Sequence, residues 1–371
     1  MQAVILVGGK GTRLRPLTCG RPKPVITLVD RPFMAYMLDW LRGHGVDDII
    51  MSCGFEPTQV QETLGDGSDW GVRLRYVVEP EPRGTAGALK ECEALLDDRF
   101  LMLNGDVLTD VDVGRQIRDH EASGAVATLG LVPVDDPSAY GLVLCDEQGA
   151  VTGFLEKPGA DELGGLREYL ISAGIYVLER SVLDLIAPDR PVSIERDVWP
   201  KLVGAGLHAT AARESYWMDI GTPDRYLHAT YDILDGDVMT AVRDRLGPGY
   251  LALGEGLDAP EARVVPPAVV GDRVTIGRRS HVGPLVVLGH GVTIGAHTRV
   301  ERSVVLDGAV IGDRCEITDA VIGPNAVIGD GVTIRGRAMI GDGVEIGNGN
   351  ELAHGVKLFP GTVLGEQAIK F

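Results

Sequence analysis

Two kinds of residue in this chain could do chemistry on phosphates. The first kind lies in one loop, Gly8-Gly9-Lys10-Gly11-Thr12-Arg13-Leu14-Arg15-Pro16-Leu17-Thr18, followed by Arg21-Pro22-Lys23-Pro24. A glycine-rich turn after a strand lets backbone N–H groups approach a phosphate or a base closely, and nearby cations neutralise phosphate charge. Residues 1–29 hold Lys10, Arg13, Arg15, Arg21 and Lys23 and no Asp or Glu. In a chain of formal net charge −18, that local surplus marks a place for a polyanion, with a solvated basic loop as the alternative. The loop is not a P-loop, which needs Gly-Lys-Ser/Thr after four spacers, nor the G-x-G-x-x-G turn of dinucleotide enzymes. The second kind is carboxylate. Asp106 follows the apolar run 100–104, and Asp219 lies in a short segment ending in Gly221. A carboxylate near a phosphate can hold a hard cation against it. Both residues also have a plain structural reading, Asp106 as a turn residue and Asp219 as the cap of a helix begun by Pro223.

The elements that must position these residues follow from the apolar pattern. Up to about residue 235, strand-like runs at 3–7, 48–52, 72–78, 100–104, 125–132 and 171–178 alternate with helical patterns such as 31–44 and 84–96. That alternation predicts an α/β domain built on a mostly parallel, Rossmann-like sheet. Ligands of such sheets bind beyond the carboxyl ends of the strands, so the loops starting at Gly8, Glu79 and Asn104 are expected to form the site. From 236 to 263 the pattern dissolves into Gly, Pro and acidic residues, which reads as a linker. Beyond it, branched apolar residues recur at 264, 270, 276, 282, 288, 294 and 300, resume at 305, 311 and 317, and then run 322, 328, 334, 340, 346, 352, 358 and 364. Most are followed by Gly. Neither a helix nor a flat strand has period six. A triangular parallel β-helix does, with one aliphatic side chain pointing inward from each side and Gly at the tight corners. The expected organisation is therefore a catalytic domain over 1–235, a linker over 236–263 and a left-handed parallel β-helix over 264–371.

Composition narrows the classes. The 371 residues suffice for two domains, each with its own core. The acidic balance argues against nucleic acid and anionic membranes as partners. The longest apolar runs are strand-length, too short to span a bilayer. The opening Met1-Gln2 leads directly into Ala3-Val4-Ile5-Leu6-Val7, without the basic start and cleavage site of a signal peptide. Cys19, Cys53, Cys92, Cys145 and Cys315 are scattered and never spaced as metal or redox pairs. A reduced cytoplasm is the expected compartment.

The first loop and the segments after it resemble the sugar-1-phosphate nucleotidyltransferases, whose signature is G-G-x-G-T-R-L-x-P-x-T followed by P-K-P. Within that family the likeness is greatest to the bacterial mannose-1-phosphate guanylyltransferases. It continues through Gly84-Thr85-Ala86-Gly87, Leu103-Asn104-Gly105-Asp106-Val107, Tyr140-Gly141, Phe154-Leu155-Glu156-Lys157-Pro158, Ser193-Ile194-Glu195-Arg196 and Trp217-Met218-Asp219-Ile220-Gly221-Thr222-Pro223. The tail resembles the hexapeptide-repeat family.

The resemblance implies that a sugar 1-phosphate oxygen attacks the α-phosphorus of a nucleoside triphosphate while pyrophosphate leaves in line. That nucleophile is already an anion near neutral pH, so no activated Ser, Cys or general base is required. Repulsion between two polyanions is the obstacle, and positioning with charge neutralisation is the remedy. By resemblance, Arg13 and Lys23 hold the triphosphate, and Asp106 and Asp219 ligate Mg²⁺. Leu6, Gly8, Gly9, Gly11, Thr12, Gly84 and Thr85 contact the nucleotide. Lys157 holds the phosphate of the sugar phosphate, and Gly141, Glu156, Ser172 and Gly174 line its sugar. Where the family carries Asn-Ala-Gly-Ile-Tyr this chain has Ser172-Ala173-Gly174-Ile175-Tyr176, and a hydroxyl offers fewer donors and acceptors than an amide.

The second loop lacks the glutamines of short thymidylyltransferases, while uridylyl and adenylyl enzymes share Gly-Thr-Ala. Guanine is favoured by Gly87 and the Ser-Ile-Glu-Arg segment, although Glu195-Arg196 also reads as a surface ion pair. Two rivals stand beside this reading. One is an acyltransferase using His281, His290, His297 or His354, each of which reads equally as a solvated turn. The other is a non-catalytic regulatory subunit, against which the intact Arg13, Lys23, Asp106, Lys157 and Asp219 argue. The exposed ends of a β-helix predict a homo-oligomer, a dimer or a tetramer built from dimers.

Overall fold

The computed structural model describes residues 1–137, 140–156, 163 and 168–370. The chain divides into two compact units, Met1–Gly9 with Met34–Met218, and Lys10–Phe33 with Asp219–Phe371.

The first unit is built on a sheet of nine strands, whose main path orders them 151–156, 141–145, 170–179, 99–104, 2–7, 48–53 and 73–78. The strands Gln2–Val7, Asp48–Cys53 and Arg99–Asn104 read as continuous apolar runs because helices cover both faces of this part. They pair in parallel, with Leu6 level with Ser52 on one side and Asn104 on the other. Leu170–Glu179 then runs antiparallel to Arg99–Asn104, and the hairpin strands Gly141–Cys145 and Val151–Glu156 continue the sheet antiparallel. The sheet is therefore mixed: it is parallel in the half that carries the glycine-rich loop and again where Leu207–Ala211 pairs with Ala127–Pro133, and antiparallel elsewhere. The hairpin escaped the sequence pattern because it is local: Asp146 closes it by accepting from the N–H groups of Gln148 and Ala150 at 3.0 and 2.9 Å. Below the sheet, Trp199 packs on Tyr176 with ring centroids 5.2 Å apart in a fully buried apolar cluster.

The second unit contains three all-parallel sheets of seven, six and six strands. In each, a residue pairs with one 17 or 18 positions on, as Val270 with Leu288 and Leu288 with Val305. This is the left-handed parallel β-helix. Every member of the apolar series from Val270 to Leu358 is buried in one continuous core, and Val264 and Leu364 pack against its ends. The glycines sit where successive coils stack: a Cβ on Gly295 would lie 2.4 Å from the carbonyl carbon of Gly312. Corner aspartates tie the coils together, Asp307 accepting from His290 N at 2.8 Å and Asp313 from Ala296 N at 2.7 Å. The two five-residue steps, 300 to 305 and 317 to 322, fall at the same corner in consecutive coils. There Arg302 pairs with Asp319, and Tyr231 of the helix Pro223–Asp235 donates to the Arg302 carbonyl. The shortened corners make the shelf on which that helix rests.

The stretch read as a linker carries secondary structure of its own. Ala241–Leu246 is helical, and Leu251–Leu253 pairs with Ala268–Val270 as the first strand of the β-helix. Its glycine and acidic content conceals a coil whose inward residues are out of phase with the later series. Among the described residues, no helix is long and apolar enough to cross a membrane.

Candidate active site

In the first unit, the carboxyl ends of the parallel strands and the facing amino ends of their antiparallel neighbours bring several of the expected residues into one line. Glu156 is level with Gly141, Leu142 with Ile171, Ile175 with Leu103, and Asn104 with Leu6. Two glycines make this line possible. Gly105 donates to the Leu6 carbonyl at 2.9 Å, and a Cβ there would lie 2.6 Å from that oxygen. Gly174, at φ 71°, leaves room for the Asn104 side chain, whose nitrogen would lie 2.7 Å from a Cβ. Asp106 follows in the turn after Asn104, half-buried. Its charge, after burial and the charge of Glu195, helps raise the Tyr176 phenol above its ordinary value.

Gly8 lies against Gly54 and Glu79, with the Glu79 Oε1 3.1 Å from where a Cβ would be. Glu79 is buried, and that burial raises its carboxyl above the usual range, opposed by the hydrogen bond it accepts from Arg83 N at 3.2 Å. Glu79 thereby fixes the turn that delivers Gly84–Glu91 as a helix. Gly84, at φ 70°, and the next two positions wrap the carbonyl of Val192, which accepts from Ala86 N at 3.0 Å and Gly87 N at 3.2 Å. Thr85 donates to Glu195 at 3.0 Å and accepts from Ile194 N at 2.8 Å, while Ser193 donates to the same carboxylate oxygen at 2.8 Å. Glu195 is thus the clasp between the Gly-Thr-Ala-Gly loop and the Ser-Ile-Glu-Arg segment, a role that spacing alone, with 110 residues between the partners, did not reveal.

Ser172 sits where the strand Leu170–Glu179 slips register against its neighbour. Its hydroxyl donates to the Tyr176 oxygen at 3.0 Å and accepts from Gly174 N at 3.2 Å, which leaves one lone pair for a further partner. Trp217 donates to the Ala173 carbonyl at 2.8 Å and stands edge-on to Tyr140 with centroids 6.2 Å apart. Lys157 lies outside the described residues, as does the side chain of Glu156.

In the second unit, Gly11 adopts the left-handed region at φ 58° and its carbonyl accepts from the Thr18 hydroxyl at 2.8 Å. This folds the loop back so that Lys23, itself buried, packs beside Gly11. Thr12–Leu14 forms a single 3₁₀ turn that leaves Thr12 and Arg13 exposed. The Arg13 guanidinium lies over Gly221, where a Cβ would be 3.0 Å from Nη2 and 3.2 Å from Asp219 Oδ2. Asp219 is ion-paired with Arg225, two residues inside the helix that Thr222 caps. The structure thus groups Arg13, Lys23 and Asp219, and it adds Arg225 to them.

Among the described residues no three His, Cys, Asp or Glu side chains cluster as a metal cage. Asp106 in the first unit and Asp219 in the second each offer the kind of oxygen donor that a hard divalent cation takes, with water and phosphate oxygens completing its shell. Three of the β-helix histidines read as corner residues, and His281 lies in a strand. His297 and His354 have positive φ, His290 accepts from Asp272 N at 3.0 Å, and His281 faces Glu301 at 3.6 Å.

A glycine-rich, cation-bearing loop leaving the first parallel strand is the arrangement of a nucleotide-handling α/β protein. The chain matches the family described as Nucleotidyl transferase over residues 2–236 and the GMPPB C-terminal domain over 264–369. It is 36% identical over 285 residues to the mannose-1-phosphate guanylyltransferase of Mycobacterium tuberculosis, covering 75% of this chain and 77% of that one. To the mannose-1-phosphate guanyltransferase of Candida albicans it is 36% identical over 347 residues, 91% of each chain. Among solved structures, HddC from Yersinia pseudotuberculosis complexed with GMP-PN is similar at 27% identity and a TM-score of 0.53, over 62% of this chain and 97% of that one. The chain belongs to the nucleotidyl transferase family. It is an enzyme that joins a nucleoside triphosphate and a sugar 1-phosphate, and its family generally uses a divalent metal.

Proposed function

We propose that the chain transfers GMP from GTP to mannose 1-phosphate, giving GDP-mannose and pyrophosphate, with Mg²⁺ as the metal. The observation that carries the choice of substrates is the likeness to mannose-1-phosphate guanylyltransferases, which for the Candida albicans enzyme spans 91% of each chain, together with the match of the tail to the GMPPB C-terminal domain. The clasp of Thr85 and Ser193 on Glu195 supports it, because that clasp shapes the Gly84–Gly87 loop assigned to the base.

In this reading Leu6, Gly8, Gly9, Gly84 and Thr85 hold the nucleoside, and Gly11, Thr12, Arg13 and Lys23 hold the triphosphate. Arg13 and Lys23 stabilise the charge that develops as pyrophosphate leaves. Asp106 and Asp219 hold the metal, which neutralises phosphate charge when bound. Glu156, Gly141, Ser172 and Gly174 lie along the sugar, and Lys157 takes its phosphate. The attacking phosphate oxygen is already anionic, so the protein has no proton to remove. The catalytic domain is assigned to 1–235 and the β-helix to 264–371, in a cytoplasmic homo-oligomer, a dimer or a tetramer. An outward strip supports association: Val310 and Val327, paired in register, are 40% and 45% exposed.

The test is a matrix of five nucleoside triphosphates against mannose, glucose and related 1-phosphates, scored by pyrophosphate release. GTP with mannose 1-phosphate should give the highest kcat/KM. A tenfold advantage for UTP or dTTP with glucose 1-phosphate would overturn the substrate assignment and leave the reaction class standing.

A further inference from the structure

We infer that Lys357, in the last coils of the β-helix, is a positioning residue for the phosphate-binding loop. The inference rests on the reading of Arg13 as a triphosphate ligand. In the loop, Leu14 N donates to Gly11 O at 3.0 Å, Arg15 N to Thr12 O at 3.3 Å, and Leu17 N to Leu14 O at 3.1 Å. The carbonyl of Arg13 is passed over in this series, because the residue three positions on is Pro16, which has no N–H to donate. Lys357 fills that gap: its Nζ donates to Arg13 O at 3.4 Å.

The contact reaches the loop at the residue whose guanidinium lies beside Asp219. Behind the loop the packing is not solid. A cavity of about 440 Å³ lies there, lined on the loop side by Pro16, Leu17 and Arg21 and on the β-helix side by Leu306, Phe359 and Pro360. With an open space at its back, the loop is held from the tail at this point by the Lys357 ammonium. In the present chain the β-helix thereby gains a part in catalysis, through the orientation of Arg13.

The experiment is a double-mutant cycle on the full-length enzyme. Lys357→Ala should lower kcat about 5-fold, the usual worth of one partly exposed hydrogen bond, with little change in the sugar-phosphate KM. Lys357→Arg should restore most of the loss, and Lys357→Met should not. In an Arg13→Ala background, Lys357→Ala should cost nothing more, since it acts only through Arg13. Full additivity of the two substitutions, or unchanged kcat in Lys357→Ala beside a crippled Arg13→Ala, would overturn the inference alone. Near-normal turnover of Arg13→Ala would overturn the reading of the loop and the inference with it.

Discussion

Asp219, proposed above as a metal ligand, already has two cationic neighbours. Its carboxylate is compensated by Arg225 and lies beside Arg13, while Asp106 stands at the end of a buried strand in a turn that only glycine at 105 permits. Each carboxylate belongs to a preorganised set, and losing one such group costs about 10²–10³ in rate. Asp106→Ala and Asp219→Ala are therefore each expected to lower kcat by at least two orders of magnitude while leaving the thermal midpoint nearly unchanged. Chelation by EDTA should abolish turnover of the parent enzyme, and Mg²⁺ or Mn²⁺ should restore it. Persistent turnover in excess EDTA would remove both residues from their assigned role. Ser172 is a different case. Its hydroxyl is spent on Tyr176 and Gly174, so its first duty is to hold the slipped register of its strand, and only a remaining lone pair can serve the sugar.

At the scale of elements, the coils of the β-helix and the turn at Glu79 give two sharp expectations. Gly295→Ala would drive a Cβ into the backbone of Gly312, whereas Gly365 has open space around it. Overpacking of this kind costs about 1–3 kcal/mol, so calorimetry should show a clear loss for Gly295→Ala and none for Gly365→Ala. Glu79 is raised by burial, so its folded value lies above the unfolded one. Below about pH 4 both states are protonated and the residue costs nothing. As pH rises beyond that, the folded state must give up a proton it holds more tightly, and stability falls. Glu79→Gln keeps an acceptor for Arg83 N, and its gain in melting temperature over the parent should widen from pH 4 to pH 7. A constant gap would mean that the carboxylate is not disfavoured by its surroundings.

The same elements mark what the sequence could disclose. The buried parallel strands were legible because each is a continuous apolar run, and the β-helix because its core demands one aliphatic residue at every sixth position. Gly8, Arg13, Lys23 and Asp106 could be singled out by type alone, and their roles stand as proposed above. Glu195 and Arg225 could not, since their value comes from partners, Thr85 and Asp219, that only the fold brings close. The hairpin at 141–156 was missed because short antiparallel strands carry too few residues to show a period. The first β-helix strand, Leu251–Leu253, was hidden by the glycines around it.

For the whole molecule, the division of the chain is the telling feature. Lys10–Phe33 forms one compact unit with Asp219–Phe371, so the phosphate-binding loop is structurally part of the tail's unit although the family match ends at residue 236. A chain cut after residue 235 should therefore melt earlier than the full chain and lose at least tenfold in kcat, roughly the worth of 1.4 kcal/mol in the transition state. Equal kcat in the truncated and full chains would show that the tail serves assembly alone. The acidic surplus also finds an explanation at this scale, since corner aspartates such as Asp307, Asp313 and Asp330 each accept a backbone N–H from the coil before.

The most direct measurement follows a label from GTP. With GTP labelled at the α-phosphate and mannose 1-phosphate present, the label should pass wholly into GDP-mannose, pyrophosphate should emerge unlabelled, and the protein should carry no label after a denaturing quench. Label retained on the protein would mean a covalent nucleotidyl intermediate, and label absent from the sugar nucleotide would mean that GTP is not the donor; either result would contradict direct transfer by positioned charges.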